Sequence, residues 1–305
     1  MSAFLACDWG GTNLRAWVVG DGGEVQDRRD FPFGISRLQP GEAPERFRLD
    51  VRPALAAEDL PAIMCGMVGS NLGWRAVGYL DCPVDLSELG RDLCQVQAGT
   101  APVWIVPGLR GPGLTGAPDF MRGEETQVLG WLRTQERRGR QTLCLPGTHA
   151  KWVRLDGERL MGATTFMTGE LYAVLSRHSV LRTEGEADDE AAFDAGLAAA
   201  GDGGALAARL FSTRARVVAA TSPAPADSSA SYLSGLLIGA EVAAAPALAG
   251  LGPDEPVVLL GDPGLCRWYA RALSRVGRAF EAFDGDRAVL AGLMALWRAG
   301  PGGQA

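Results

Sequence analysis

The sequence has no surplus of basic charge. Its net charge of −7 at pH 7 gives no support to a polyanion-binding surface, so nucleic acid is not an expected partner. It shows no uninterrupted apolar stretch approaching the length needed to cross a bilayer. The opening Met1-Ser2-Ala3-Phe4 has neither the basic segment nor the long apolar run of a secretory leader. There is no C-x-x-C pair: the cysteines at 7, 65, 82, 94, 144 and 266 are scattered. Cys7, Cys65 and Cys144 fall inside apolar, strand-like runs, where buried free thiols are expected. Together these absences predict a cytoplasmic protein with no membrane partner. What is present is a chain of 305 residues, 47% hydrophobic and 21% charged, the composition of a soluble globular protein long enough for two domains.

The richest stretch is Cys7-Asp8-Trp9-Gly10-Gly11-Thr12-Asn13-Leu14-Arg15-Ala16-Trp17. An apolar run, Ala3 to Cys7, reads as a buried strand, and a second runs through Trp17 to Val19, so the segment between them is a hairpin turn. Glycines at 10 and 11 allow close backbone approach and positive φ. Successive N–H groups and the Thr12 hydroxyl can cradle phosphate oxygens. Asp8, at the end of the strand, can hold hydrated Mg²⁺. An ordinary Gly-rich hairpin would look the same, so the neighbouring segments decide.

Residues 3–33 read as a three-strand meander and 41–60 as a helix limited by Pro44 and Pro53. Residues 61–68 form another apolar strand, ending in the polar loop Gly69-Ser70-Asn71-Leu72-Gly73-Trp74. Open α/β sheets place ligands at such carboxyl ends. Residues 102–107 form a further strand and 108–120 a loop rich in Gly and Pro. Met121-Arg122-Gly123-Glu124-Glu125-Thr126-Gln127 then opens a helix with a basic end at Arg137, Arg138 and Arg140. The second half repeats the theme: strand 141–145, the turn Pro146-Gly147-Thr148-His149-Ala150-Lys151, then strand 152–155. Thr168-Gly169-Glu170 caps the next helix. The stretch 221–231 reads as a surface loop, followed by a helix over 232–244. A strand over 256–260 leads to Gly261-Asp262-Pro263-Gly264 and a helix over 265–276. The last helix starts at Asp286, and the tail after Ala299 is expected to fray.

Two halves, each opening with a meander whose first hairpin carries Gly and Thr, can clamp a polyphosphate from two sides, with the unit at 256–276 holding the adenosine. This layout resembles the actin-like ATPase superfamily of sugar kinases, hexokinases, exopolyphosphatases and heat-shock ATPases. Longer strings narrow the match: Asp8 to Trp17, Gly66 to Trp74, Met121 to Gln127, Pro146 to Val153, Met167 to Leu171 and Leu233 to Glu241. Together they resemble the 2-dehydro-3-deoxygalactonokinases of bacterial galactonate breakdown, from about residue 4 to about residue 297.

The resemblance implies an α/β, two-domain actin-like ATPase (ribonuclease H-like) fold with an interdomain cleft that closes on substrate. The implied division is 1–135 and 136–305, with the helix 286–298 packing back on the first domain. It implies phosphorylation by ATP of 2-dehydro-3-deoxy-D-galactonate at its terminal hydroxyl, with Mg²⁺. The alternatives are a kinase for the gluconate epimer and an exopolyphosphatase-like hydrolase. A repressor of sugar-kinase type would need a DNA-binding domain ahead of the turn that starts at residue 8. Asp8 is the expected metal residue, acting through water. Gly10, Gly11, Thr12 and Asn13 line one phosphate clamp; Gly147, Thr148 and Lys151 line the other, with Gly261 at the adenosine turn. Glu124 or Glu125 supplies the base that orients the hydroxyl, the other being a helix-terminal acid. Arg122 and Arg15 are candidates for the substrate carboxylate, because a guanidinium grips carboxylate bidentately. Ser70, Asn71 and Trp74 fit a polyol pocket, Trp74 having plain core as its competing role. A homo-oligomer is left open, as is the epimer.

Overall fold

The run Phe4–Trp9 is apolar apart from Asp8 and is buried along its whole length, so it takes a central place in its sheet as β1. In the computed structural model, residues 3–135, 139–183, 187–201, 205–219, 228–252 and 254–303 are described. The chain divides into two units. Unit 1 comprises Met1–Arg140, Leu155–Ala163 and Gly285–Ala305, and unit 2 comprises Gln141–Arg154 and Thr164–Asp284.

In unit 1, β1 pairs antiparallel with β2 (Leu14–Val19), which pairs antiparallel with β3 (Val25–Phe31). On its other side β1 pairs parallel with β4 (Ala62–Cys65), and β4 with β8 (Ala101–Ile105). The sheet closes on β7 (Cys94–Ala98), giving the order β3-β2-β1-β4-β8-β7. A helical segment crosses one face as α1 (Ala43–Arg46), a π-helical turn Phe47–Val51, and α2 (Arg52–Ala54). It buries Phe47 and Val51 in a core with Trp9, Leu14 and Ile35. The stretch 108–120 is no simple loop. It forms β9 (Gly108–Pro112) and β10 (Pro118–Met121), an antiparallel pair extended by β5 (Tyr79–Asp81). The Gly and Pro residues that suggested a loop make its turn, where Gly116 has φ +81°. The two-residue strand β6 (Val84–Asp85) pairs with Arg159 and Leu160.

Two helices complete unit 1: α3 (Glu124–Arg133) and α10 (Gly285–Ala299). They cross at glycines. A Cβ on Gly130 would lie 1.8 Å from Ala288 O, and one on Gly292 would lie 2.0 Å from Thr126 O. Trp297 of α10 stacks on Phe4 with ring centroids 4.6 Å apart. Residues 301–303 form a 3₁₀ turn with Gly302 buried, where fraying was expected.

The sheet of unit 2 has β11 (Arg140–Leu145) beside β12 (Ala150–Asp156) and β12 beside β13 (Arg159–Phe166), the stretch 155–163 of these strands counting with unit 1. On the other side β11 pairs parallel with β14 (Val257–Gly261), and β14 with β15 (Phe280–Asp284). The order β13-β12-β11-β14-β15 therefore repeats β3-β2-β1-β4-β8: a run of three sequential strands, then two parallel additions. Arg140 belongs to β11 rather than to a helix end, and Arg137 and Arg138 lie outside the described residues. The helices are α4 (Thr168–His178), α5 (Glu190–Ala200), α6 (Leu206–Leu210), α7 (Ser212–Ala219), α8 (Ser229–Ala249) and α9 (Pro263–Arg275). The expected loop 221–231 falls largely outside the described residues, and its last three positions already belong to α8. The longest of the described helices is α8. Its 21 residues are long and apolar enough to cross a membrane by length and composition, although Glu241 interrupts the apolar run. That stretch is 72% buried, packed against α4, α5 and α9.

Candidate active site

In unit 1 several of the expected site residues gather at the carboxyl ends of β1 and β4, which run parallel with Asp8 beside Cys65. The turn after β1 is closed by the Gly10 N–H donating to Asn13 O at 3.0 Å. Thr12 and Asn13 are exposed on it. Residues 34–36 back the turn: Ile35 N–H donates to Gly10 O and Ser36 N–H to Gly11 O, each at 3.0 Å. Neither Gly10 nor Gly11 has a positive φ. That conformation falls instead to Gly66 (φ +91°) and Gly123 (φ +108°), which motif reading had left without a role. A Cβ on Gly66 would press to 2.7 Å from Trp9 O and 3.3 Å from Asp8 Oδ1, and one on Gly123 would lie 3.1 Å from Gly66 Cα. Glycine at both places brings the start of α3 against the strand ends beside Asp8.

Asp8 is 7% exposed. Burial raises its pKa, and the neighbouring Arg15 opposes that shift. Arg15 Nη2 donates to Asp8 Oδ2 at 2.5 Å and Nη1 to Asp286 Oδ1. Asp286 also accepts from Arg28 Nη2 at 2.7 Å. Arg15 is therefore committed to two carboxylates of its own chain, which corrects its reading as a receptor for a substrate carboxylate. β2 sets this up, because Arg15 stands directly opposite Asp8 in the register. On the other side of Asp8, Cys65 Sγ lies 3.8 Å from Oδ1.

The glutamate pair separates cleanly. Glu125 has no exposed surface; its two oxygens accept from the Gly123 N–H at 2.9 and 2.7 Å, and Oε1 also accepts from Thr126 Oγ1. Burial, and then the charge of Glu124, push its carboxyl up to about 7. It caps its own helix. Glu124 is half-buried, with Oε2 accepting from the Arg122 N–H at 3.0 Å.

Arg122 is 9% exposed. Its Nη2 donates to Val77 O at 2.6 Å and Gly78 O at 3.3 Å, and its guanidinium lies over the Tyr79 ring. A carboxylate is gripped through two adjacent N–H groups. With Nη2 on two backbone carbonyls the guanidinium already serves its own chain, and its expected role at the substrate carboxylate stays a proposal. Nε and Nη1 are buried without partners, and a Cβ on Gly69 would meet Nη1 at 2.8 Å. Arg122 thus pins the loop 69–78 to the start of α3. On that loop Ser70 is buried, its Oγ accepting from the Leu72 N–H, while Asn71 and Arg75 are exposed. Trp74 packs against Phe47 at the edge of the core, with ring centroids 5.7 Å apart.

In unit 2 the turn between β11 and β12 exposes Thr148 and His149, and a Cβ on Gly147 would meet open space. Lys151 is 6% exposed, with its ammonium on Thr165 Oγ1 of β13, behind the turn rather than on its rim. Gly261 ends β14 in contact with Pro146, and Asp262 caps α9 by accepting from the Leu265 N–H at 2.9 Å.

The model of the family described as 2-keto-3-deoxy-galactonokinase matches residues 8–296. The chain belongs to that family. It is 39% identical to the probable 2-dehydro-3-deoxygalactonokinase DgoK1 of Rhizobium meliloti (strain 1021), over 97% of either chain. It is 35% identical to the 2-dehydro-3-deoxygalactonokinase of Escherichia coli (strain K12), covering 96% of this chain and 97% of that one. A crystal structure of a putative 2-dehydro-3-deoxygalactonokinase from Sinorhizobium meliloti superposes with a TM-score of 0.85 at 37% identity, covering 97% of this chain and 98% of that one. The fold is α/β in two units and is shared with that galactonokinase structure. The chain is accordingly a phosphotransferase of the galactonokinase family, within galactonate catabolism.

Proposed function

We propose that this galactonokinase-family chain transfers the γ-phosphoryl group of ATP to the terminal hydroxyl of 2-keto-3-deoxy-galactonate, giving the 6-phosphate in the cytoplasm. The observation that carries the chemistry is the meeting of Asp8 and the start of α3 through Gly66 and Gly123. It sets a half-buried carboxylate, Glu124, near a phosphate-type turn. Phosphoryl transfer asks the protein mainly for positioning and charge stabilisation. Glu124 accepts the hydroxyl proton and aims the oxygen; Glu125, sealed under its own helix end, holds the turn that places it. Gly11, Thr12 and Asn13 supply donors to phosphate oxygens on the turn that Gly10 closes, as do Gly147 and Thr148, with Lys151 adding positive charge behind the second turn. The turn at Gly261 holds the adenosine.

One carboxylate with a fixed cation beside it suits Mg²⁺ that arrives on ATP and keeps its waters, because Mg²⁺ is commonly held by one or two carboxylates plus substrate phosphates. Asp8 would hold it through water, and the ion would neutralise phosphate charge. Arg15 opposes the burial that raises the Asp8 pKa, and Asp286 holds Arg15 in place beside it. Arg15 and Arg122 already hold groups of this chain, so we assign the sugar-acid carboxylate to Arg75, exposed on the same loop as Ser70 and Asn71.

The test is a coupled ADP-release assay across 2-keto-3-deoxy-galactonate, its gluconate epimer, simple hexoses and no acceptor. The galactonate acid should give the highest kcat/KM; a rate that needs no acceptor would mean a hydrolase. Glu124→Gln should lower kcat by ~10²–10⁴, the usual worth of a positioned base, and Glu125→Gln far less. Arg75→Ala should raise KM for the sugar acid and leave KM for ATP in place. The reverse order of the two Gln variants would move the base to Glu125.

A further inference from the structure

Glu241 sits in the middle of α8 at 3% exposure, and among the described residues it has no ion pair. A buried carboxylate without a cation is costly unless every lone pair is used. Here three elements donate to it. Trp152 Nε1 of β12 donates to Oε1 at 2.7 Å; Tyr269 O–H of α9 donates to Oε2 at 2.9 Å, and so does Thr168 Oγ1, the first residue of α4.

The next two residues of α4 rest on the second phosphate-type turn. A Cβ on Gly169 would lie 2.5 Å from Gly147 O and 2.7 Å from Thr148 Cα, so only glycine permits this approach. The Glu170 N–H donates to Thr148 O at 2.9 Å, and the Glu170 carboxylate pairs with His149 Nε2. The turn is thus indexed to the first turn of α4, and the first turn of α4 is indexed to Glu241. We propose that Glu241 is a positioning residue for the ATP-phosphate turn Gly147–His149, acting through Thr168 and the start of α4. The inference rests on reading that turn as a holder of ATP phosphate. It also gives the string Met167-Thr-Gly-Glu a function beyond capping: inward anchor, close approach, outward grip.

Glu241→Met removes all three hydrogen bonds and risks the fold, so the decisive variant is Thr168→Val, which removes only the bond leading to the turn. Thr168→Ser keeps that bond and serves as the rescue. Tyr269→Phe removes a donor to the same oxygen without touching α4. Thr168→Val should raise KM for ATP roughly tenfold, about the size of one buried hydrogen bond. KM for the sugar acid should stay at the wild-type value. Hydrogen exchange in the peptide spanning 146–151 should quicken in Thr168→Val and return with Ser. Tyr269→Phe should lower the melting temperature and leave both KM values unchanged. Wild-type exchange in that peptide for Thr168→Val, or an equal rise in both KM values, would overturn the proposal. Thr148→Ala separates the two readings. If it leaves KM for ATP unchanged, the phosphate assignment of the turn fails, and the exchange data still decide whether Glu241 positions it.

Discussion

Glu125 and Glu241 are buried carboxyls in different units, each pushed up to about 7 with burial as the leading cause. In the unfolded chain such a group titrates near 4.5. Between those values the folded protein keeps a proton that the unfolded chain releases. Each carboxyl therefore favours folding most below 4.5, and that contribution is lost as pH climbs through 7, a change on the order of 3 kcal/mol per group. Replacing Glu125 with Gln removes one of them while keeping an acceptor for the Gly123 N–H. Thermal melts should show the variant matching the wild type near pH 5 and exceeding it at pH 8. An identical pH slope in both proteins would mean that Glu125 ionises in the folded state as freely as in the unfolded chain. At this scale the sequence was a partial guide. Asp8 and the glutamate pair were visible as residue types in a pattern, but the partners that decide their roles were not. Arg15 meets Asp286 across 271 positions, and Arg122 spends its fork on backbone carbonyls 44 and 45 positions away. Contacts of that range leave no periodic trace.

Elements were legible where periodicity and burial agree, as in the meander β1–β2–β3 and the strand–turn–strand at 140–156. They were hidden where glycine and proline dominate, as in β9 and β10, or where a short edge strand has little apolar content, as in β5. The same glycines that obscure a segment can be its most informative residues. Gly123 has φ +108°, and a Cβ there would meet Gly66 Cα at 3.1 Å. Gly123→Ala must adopt a conformation that costs an L-residue about 1 kcal/mol or more, and it must also push the start of α3 away from Gly66. The expected result is a modest loss in melting temperature with a larger fall in kcat, because Glu124 follows directly. KM for ATP should change little. A variant that lost stability and kept kcat would show that α3 starts independently of Gly66.

At the scale of the whole chain, unit 1 is discontinuous: it opens with residue 1 and is completed by Gly285–Ala305. The completing helix does more than cover a surface. Val289, Leu293, Leu296 and Trp297 of α10 are all buried, at roughly 1.5–3 kcal/mol each, which together rivals the 5–15 kcal/mol that holds a typical domain folded. Trp297 stacks on Phe4 and meets Trp104, Gly292 admits the close crossing with α3, and Asp286 holds Arg15 beside Asp8. A chain ending at Asp284 would therefore lose a wall of the core, the packing partner of the helix bearing Glu124, and the anchor of Asp8 at once. Hydrogen exchange should then find the β1 and α3 peptides unprotected, while α5 and α8 of unit 2, which pack on each other through Gly196 and Gly235, keep their protection. A chain ending at Gly303 is the control and should behave as the full protein does. Should β1 and α3 stay protected in the chain ending at Asp284, the core of unit 1 would close without α10. The grip of Asp286 on Arg15 would then be the helix's only contribution, and Asp286→Asn alone should reproduce the whole loss of activity.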